Sequence, residues 1–242
     1  MFRYICSVCL CLGILARSAP VWARASHRPT GIHLGVDVFR PFQYKYYERK
    51  GTQYELNACT DFSSMMLEGD YGWGSICWEG YNPKADVLSS YTSSGQYFRV
   101  GLNYNFLPDT PNKNQAFLGL RYATSFFQDQ LVSKVVYDST GLIKGGGGRG
   151  PINSKQTNVR ARWFEAVAGV KVRIWRLLYA GGTIRYKFVL RTDYAKSYVP
   201  YDVLGWGLNE QGASFGVSYY LSLRIPLASE TSVRLKSSQP HR

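Results

Sequence analysis

Histidine and cysteine are scarce in this chain: three His and five Cys in 242 residues, with Cys6, Cys9 and Cys11 all near the start. Two later cysteines, Cys59 and Cys77, cannot build a disulfide framework. No His, Cys or acidic cluster has metal-ligand spacing, so neither a metal nor any other cofactor is expected. Long apolar runs are missing as well; beyond the first residues none approaches the roughly 20 needed for a transmembrane helix. Acid is short too, 16 Asp and Glu against 29 Lys and Arg, a net charge of +13. Such a surface suits phosphate-bearing partners.

What is present at the N-terminus narrows the partner. Arg3 followed by the apolar run 5–16, then Ala23-Arg24-Ala25, reads as a signal peptide over residues 1–25. An exported chain seldom meets nucleic acid, so none is expected. Outer-membrane lipid and lipopolysaccharide are the expected partners, with an envelope protein as a further candidate.

Eight segments then alternate apolar and polar residues one by one, the pleat of a β-strand with one greasy and one wet face. They are 31–40, 54–62, 65–74, 96–106, 116–126, 162–174, 179–191 and 214–225. In 96–106, for example, Phe98, Val100, Leu102, Tyr104 and Phe106 oppose Tyr97, Arg99, Gly101, Asn103 and Asn105. Several exceed the average soluble strand and approach the span of a tilted bilayer-crossing strand. The links alternate in length: 63–64, 107–115 and 175–178 are short, whereas 41–53, 75–95, 127–161 and 192–213 are long. In an up-and-down meander this puts every short turn at one end and every long loop at the other. The reading is an all-β fold: an eight-stranded antiparallel up-and-down transmembrane barrel over 26–228, followed by a polar tail, 229–242.

Six stretches stand out: Gly35-Val36-Asp37-Val38, Tyr97 to Asn105, Leu118-Gly119-Leu120-Arg121-Tyr122, Trp163-Phe164-Glu165-Ala166, Gly205-Trp206-Gly207 and Phe215 to Tyr220. In them the chain resembles small outer-membrane β-barrels of Gram-negative bacteria. More narrowly, it is similar to an uncharacterised outer-membrane family of the Bacteroidetes type. The resemblance implies an outer-membrane barrel and no catalytic role. Many such barrels end on an aromatic residue; here Ser229–Arg242 follows the last segment instead.

A soluble barrel with its apolar face inward satisfies the alternation equally. Two features favour lipid outside. Gly101, Gly119, Gly169 and Gly216 sit on the charged face, making room for long side chains. Trp73, Phe106, Phe126, Trp175, Tyr179 and Phe215 gather near segment ends on the apolar face, like interfacial girdles. The lumen would then hold Asp37, Glu55, Glu68, Asp70, Arg99, Arg121, Glu165, Lys171, Arg185, Lys187 and Arg224, together with Asp61, Arg173 and Arg191. The first three segments supply mostly acid and the later ones base, so a cross-lumen network and a plugged interior are expected.

Three features invite a functional reading. His33, with Asp37 four residues on, is the candidate for a lipid-modifying enzyme, but no nucleophile is placed beside it. The glycine run 145–150 lacks the strand, helix and Lys-Ser/Thr of a phosphate loop and reads as an external loop. Candidate loop contacts are Trp78, Tyr81 and Tyr91 for carbohydrate or protein, or as a cover over the barrel mouth. Lys134, Lys144, Arg149, Lys155 and Arg160 of the link 127–161 are candidates for lipopolysaccharide phosphates, with a solvated loop as the alternative. The favoured reading is a structural or interaction barrel: adhesion, membrane integrity or a subunit of an envelope assembly. An outer-membrane lipid-modifying enzyme, a narrow channel and a soluble periplasmic barrel are the alternatives. Were 54–62 and 65–73 a hairpin turning at 63–64, Cys59 would face Glu68 and Cys77 would lie about 30 Å away, leaving both thiols free.

Overall fold

The computed structural model describes residues 29–46, 50–62, 64–82, 87–108, 110–135, 152–193, 198–209 and 212–227. The expected signal peptide and the polar tail lie outside them, as do Lys144, Arg149 and the glycine run.

The alternating segments form one closed antiparallel barrel. Its strands are β1 (Gly31–Asp37), β2 (Lys50–Phe62), β3 (Met65–Asn82), β4 (Val87–Asn105), β5 (Gln115–Val135), β6 (Ile152–Trp175), β7 (Leu178–Asp193) and, after two short strands described below, β10 (Ala213–Pro226). Each pairs with its neighbour in the chain, and β1 closes the ring on β10, from Gly31 opposite Pro226 to Asp37 opposite Tyr220. Cys59 stands opposite Glu68, and both Cys59 and Cys77 are free thiols.

Three sequence boundaries move. First, β1 stops at Asp37, and the helix α1 (Phe39–Tyr46) follows where strand and loop were expected. The Asp37 carboxylate accepts the backbone N–H of Phe39 at 2.8 Å and of Arg40 at 3.3 Å, an N-cap that turns the chain. Pro41 sits in the first helical turn, where its missing N–H costs nothing. Second, the expected loops 75–95 and 127–161 are largely strand: β3 and β4 pair out to Asn82 and Val87, and β5 and β6 out to Ser133 and Ile152. Beyond the apolar wall the outward positions turn polar (Glu79, Thr92, Gln128) while inward ones such as Ile76, Tyr91 and Phe127 turn apolar, so the hydrogen-bonded ladder continues while the pattern of greasy wall and charged interior is lost. Third, the link 192–213 contains a small hairpin, β8 (Asp202–Val203) paired with β9 (Gly207–Leu208).

Two residues expected in the lumen are exposed. Arg191 faces outward because a bulge at Val189, in the left-handed region at φ 58°, adds one residue to β7. The added residue reverses the faces of everything after it, so Leu190 turns in to pack on the core. Arg173 lies at the short-turn rim, where its guanidinium bonds Asn112. Conversely Tyr179, expected in the outer girdle, is buried. It shares the parity of Thr183 and Arg185, and its hydroxyl donates to the Asn112 carbonyl at 2.9 Å.

Side-chain polarity is inverted relative to a water-soluble domain. Leu120, Ile184 and Phe215 on the outer wall are 66%, 60% and 73% exposed, while Arg121, Arg185 and Glu165 inside are at 1% or less.

Candidate functional site

The lumen is filled by three tiers of charge and a cap. At the short-turn end, Asp61 on β2 receives Gln115 Nε2 at 2.8 Å, His33 Nε2 at 3.2 Å and Arg224 Nε at 3.3 Å. The middle tier centres on two carboxylates of β3. Glu68 takes Arg121 at 2.6 Å, Lys171 Nζ at 3.2 Å and the amides of Asn57 and Asn103. Asp70 is bonded by Arg121 and by Asn57 at 2.7 Å, with Arg99 at 3.7 Å.

Glu55 anchors the upper tier. Arg99 approaches it at 2.8 Å, and Arg40 and Arg185 each at 3.2 Å. The hydroxyls of Tyr97 and Tyr220 donate to the same carboxylate. Glu165 completes the tier with Arg99 Nε at 3.1 Å and Trp163 Nε1 at 2.7 Å. Acid from β2 and β3 thus meets base from β4 to β7: Arg99 of β4 stands next to Asp70 in the register, whereas Lys171 of β6 and Arg185 of β7 reach Glu68 and Glu55 from non-adjacent strands of the closed ring. Burial of such charge is tolerable only when paired, and here each carboxylate touches at least one cation.

Above the charge sits the β8–β9 hairpin. Lys187 Nζ donates to the carbonyls of Gly205 at 2.9 Å and Trp206 at 2.6 Å. The Trp206 and Trp163 rings meet edge to face at 5.9 Å, inside an apolar cluster with Ile76, Phe127, Val203 and Leu204. Gly205 is in the left-handed region at φ 85°, and a Cβ there would strike the Tyr97 ring at 2.8 Å, so glycine is required. Trp78 Nε1 donates to Asp202 at 2.9 Å, and the Tyr91 hydroxyl lies 3.0 Å from the Asp202 carbonyl. Trp78 and Tyr91 therefore hold this cap from the strands, whereas Tyr81 points out and is 56% exposed.

Of the expected lumen residues, Asp37, Glu55, Glu68, Asp70, Arg99, Arg121, Glu165, Lys171, Arg185, Lys187 and Arg224 are all buried inside the ring. Asp37 acts mainly as the helix cap, with Arg40 Nε at 3.4 Å. Lys155 lies exposed on β6 rather than in a loop. Sequence reasoning missed Arg40, Tyr97, Tyr220 and the Trp206 cap. The two tyrosines were legible from their parity with Arg99 and Ser222; Arg40 ended the first alternating segment and was read as strand, and Trp206 lay in a link taken as loop. Among the described residues no three His, Cys, Asp or Glu side chains form a metal-binding group.

With the barrel and its filled interior in place, the wider comparison is informative for family. The chain belongs to the family described as Domain of unknown function (DUF6048). That family's model matches residues 1–230, so the DUF6048 unit includes the whole barrel. No curated protein matches the sequence. Among solved structures, CarO2 of Acinetobacter baumannii is similar at 11% identity and a TM-score of 0.43, covering 81% of this chain and 98% of that one. Neisserial surface protein A is similar at 11% identity and a TM-score of 0.37, covering 82% of this chain and 96% of that one. CarO of A. baumannii gives 10% identity and a TM-score of 0.37, covering 84% and 100%. The DUF6048 barrel itself is defined by its own closed register.

Proposed function

We propose that this DUF6048 chain is a sealed barrel of the Gram-negative outer membrane, with a structural or interaction role in the cell envelope. The inversion of polarity carries the reading. Soluble monomers rarely expose contiguous apolar patches beyond a few hundred Å², and here an apolar belt girds the ring while the charges lie within. Trp73, Phe106, Phe126, Trp175 and Phe215 stay on that outer belt, where interfacial aromatics belong. The long hairpins would face outward and the short turns the periplasm. Fractionation tests the location: recovery in the soluble periplasm without detergent would end the membrane reading.

Three tiers of paired charge under a packed hairpin favour a plug over a pore. In a planar bilayer the purified barrel is expected to give no steady conductance, and stable unitary currents would refute the sealed lumen. The surroundings of His33 favour architecture over catalysis. Its Nε2 lies 3.2 Å from Asp61 and 3.3 Å from the Gln115 amide, and the Tyr179 ring stands edge-on at 5.0 Å. No serine or threonine hydroxyl bonds it among the described residues. His33→Gln is expected to leave lipid A composition unchanged by mass spectrometry; a changed profile would instead support a lipid-modifying enzyme.

A further inference from the structure

The outer wall is not uniformly apolar. Where β6 and β7 leave the belt toward the long hairpins, Lys155, Arg160 and Arg191 are exposed and Arg162 is half-exposed. Arg162 and Arg191 are directly opposite in the register, and Arg160 pairs with Asp193. Like charges directly across a strand pair repel. Asp193, 2.7 Å from Arg162 Nη2, is the carboxylate that faces them. On the matching register rows, β3 and β4 carry Trp73, Gln96, Tyr71 and Phe98, with no charge.

Two bulges create this cluster. On β6 the register slips between Phe127 and Asp129, with Asn158 at φ 58°; on β7 it slips beside Val189, also at φ 58°. Without those extra residues, parity would direct Lys155 and Arg191 into the lumen. Each bulge instead turns a cation out, Arg191 directly opposite Arg162 and Lys155 four ladder steps, about 13 Å, beyond Arg160 on the same wall. Non-glycine residues held in the left-handed region are strained, and bulges gather where side chains must be re-aimed.

Height and floor fit a lipid. Arg162 and Arg191 lie about thirteen residues along β6 and β7 from the short turn between them. At a rise of about 3.3 Å and a tilt of about 40°, that is roughly 30 Å, just beyond an apolar band of about 25 Å. The Arg160 guanidinium rests over the Phe126 ring at 5.2 Å, an aromatic of the upper girdle. Directly below, Ala166 and Ala168 floor a groove walled by Tyr122, Phe164, Ile184 and Tyr186. Acyl chains fit such a groove, and phosphate fits the cations above it.

We propose that this face of β6 and β7 binds lipopolysaccharide: Lys155, Arg160, Arg162 and Arg191 hold the lipid A phosphates while its acyl chains lie over Ala166 and Ala168. The proposal rests on the membrane reading above, with the long hairpins outward. It is tested on the full barrel, purified from outer membranes, delipidated and titrated by native mass spectrometry with three probes: bis-phosphorylated lipid A, dephosphorylated lipid A and phosphatidylglycerol. Bis-phosphorylated lipid A is expected to bind best. Combining Lys155→Gln, Arg160→Gln, Arg162→Gln and Arg191→Gln is expected to weaken it tenfold or more, while Arg176→Gln at the other rim leaves it unchanged. Asp193→Asn, which frees Arg162, is expected to tighten binding severalfold. Equal binding by the fourfold variant, or of either other probe, would overturn the site. Should the fourfold variant lose its heat-dependent gel shift and so prove unfolded, Arg191→Gln alone and Asp193→Asn decide in the same way. A barrel that inserts but binds no lipid A fails this proposal alone; a chain that never enters the membrane fails the earlier one.

Discussion

Glu55→Leu is expected to lower the unfolding free energy by about 3–5 kcal/mol, the loss typical of removing one partner from a buried ion pair. Three guanidiniums, of Arg40, Arg99 and Arg185, converge within 3.2 Å of this carboxylate, and two tyrosine hydroxyls donate to it. Without Glu55 those cations are left mutually repelling, although Arg99 retains Glu165 at 3.1 Å and Arg40 retains Asp37 at 3.4 Å. The measurement is the urea midpoint of the barrel refolded in lipid, read by tryptophan fluorescence. Pairing Glu55→Leu with Arg185→Met should recover part of the loss, since removing both charges spares the stranded guanidinium. An unchanged midpoint in the single variant would show that the network contributes nothing at its centre.

Trp206→Ala is expected to cost roughly 3–5 kcal/mol, the range for deleting a large buried aromatic. Trp206 is fully buried against Trp163, and its carbonyl is one of two that fix Lys187. The truncation should free the cap before it opens the ring, because the strand ladders do not pass through β8 and β9. Hydrogen exchange should therefore rise first across Asp202–Leu208, with β2 to β5 still protected. Exchange rising together in cap and strands would mean that the hairpin and the barrel form one cooperative unit.

The comparison of sequence with structure divides at particular residues. Alternation exposed the strands wherever one face meets an apolar surface, and parity alone put Glu55, Glu68, Arg99, Arg121 and Arg185 on one side. Closure of β1 on β10 then brings Glu55 and Glu68 within reach of Arg185 on β7 and Lys171 on β6, while Arg99 on β4 already stands beside Asp70. The same parity misplaced Arg191, since one residue of bulge at Val189 reverses every face after it, and its one trace in the sequence is the unbroken apolar triplet Phe188-Val189-Leu190. It also fell silent at Trp78 and Tyr91, where the strands outrun the belt, the outward face turns polar and the inward face packs on the cap.

By itself, then, the sequence determined the number of barrel strands, their alternating link lengths and the pairing of greasy with charged faces, because these depend on local period and on which residues tolerate water. Only the tertiary structure decided the cap and the outward basic face. Trp206 enters the lumen by contacts with Trp163, Tyr97 and Lys187, distant in sequence, and Lys155 and Arg191 turn outward through bulges set by strand-to-strand register. Long-range contact and register are properties of the closed ring, and no local window of the chain contains them.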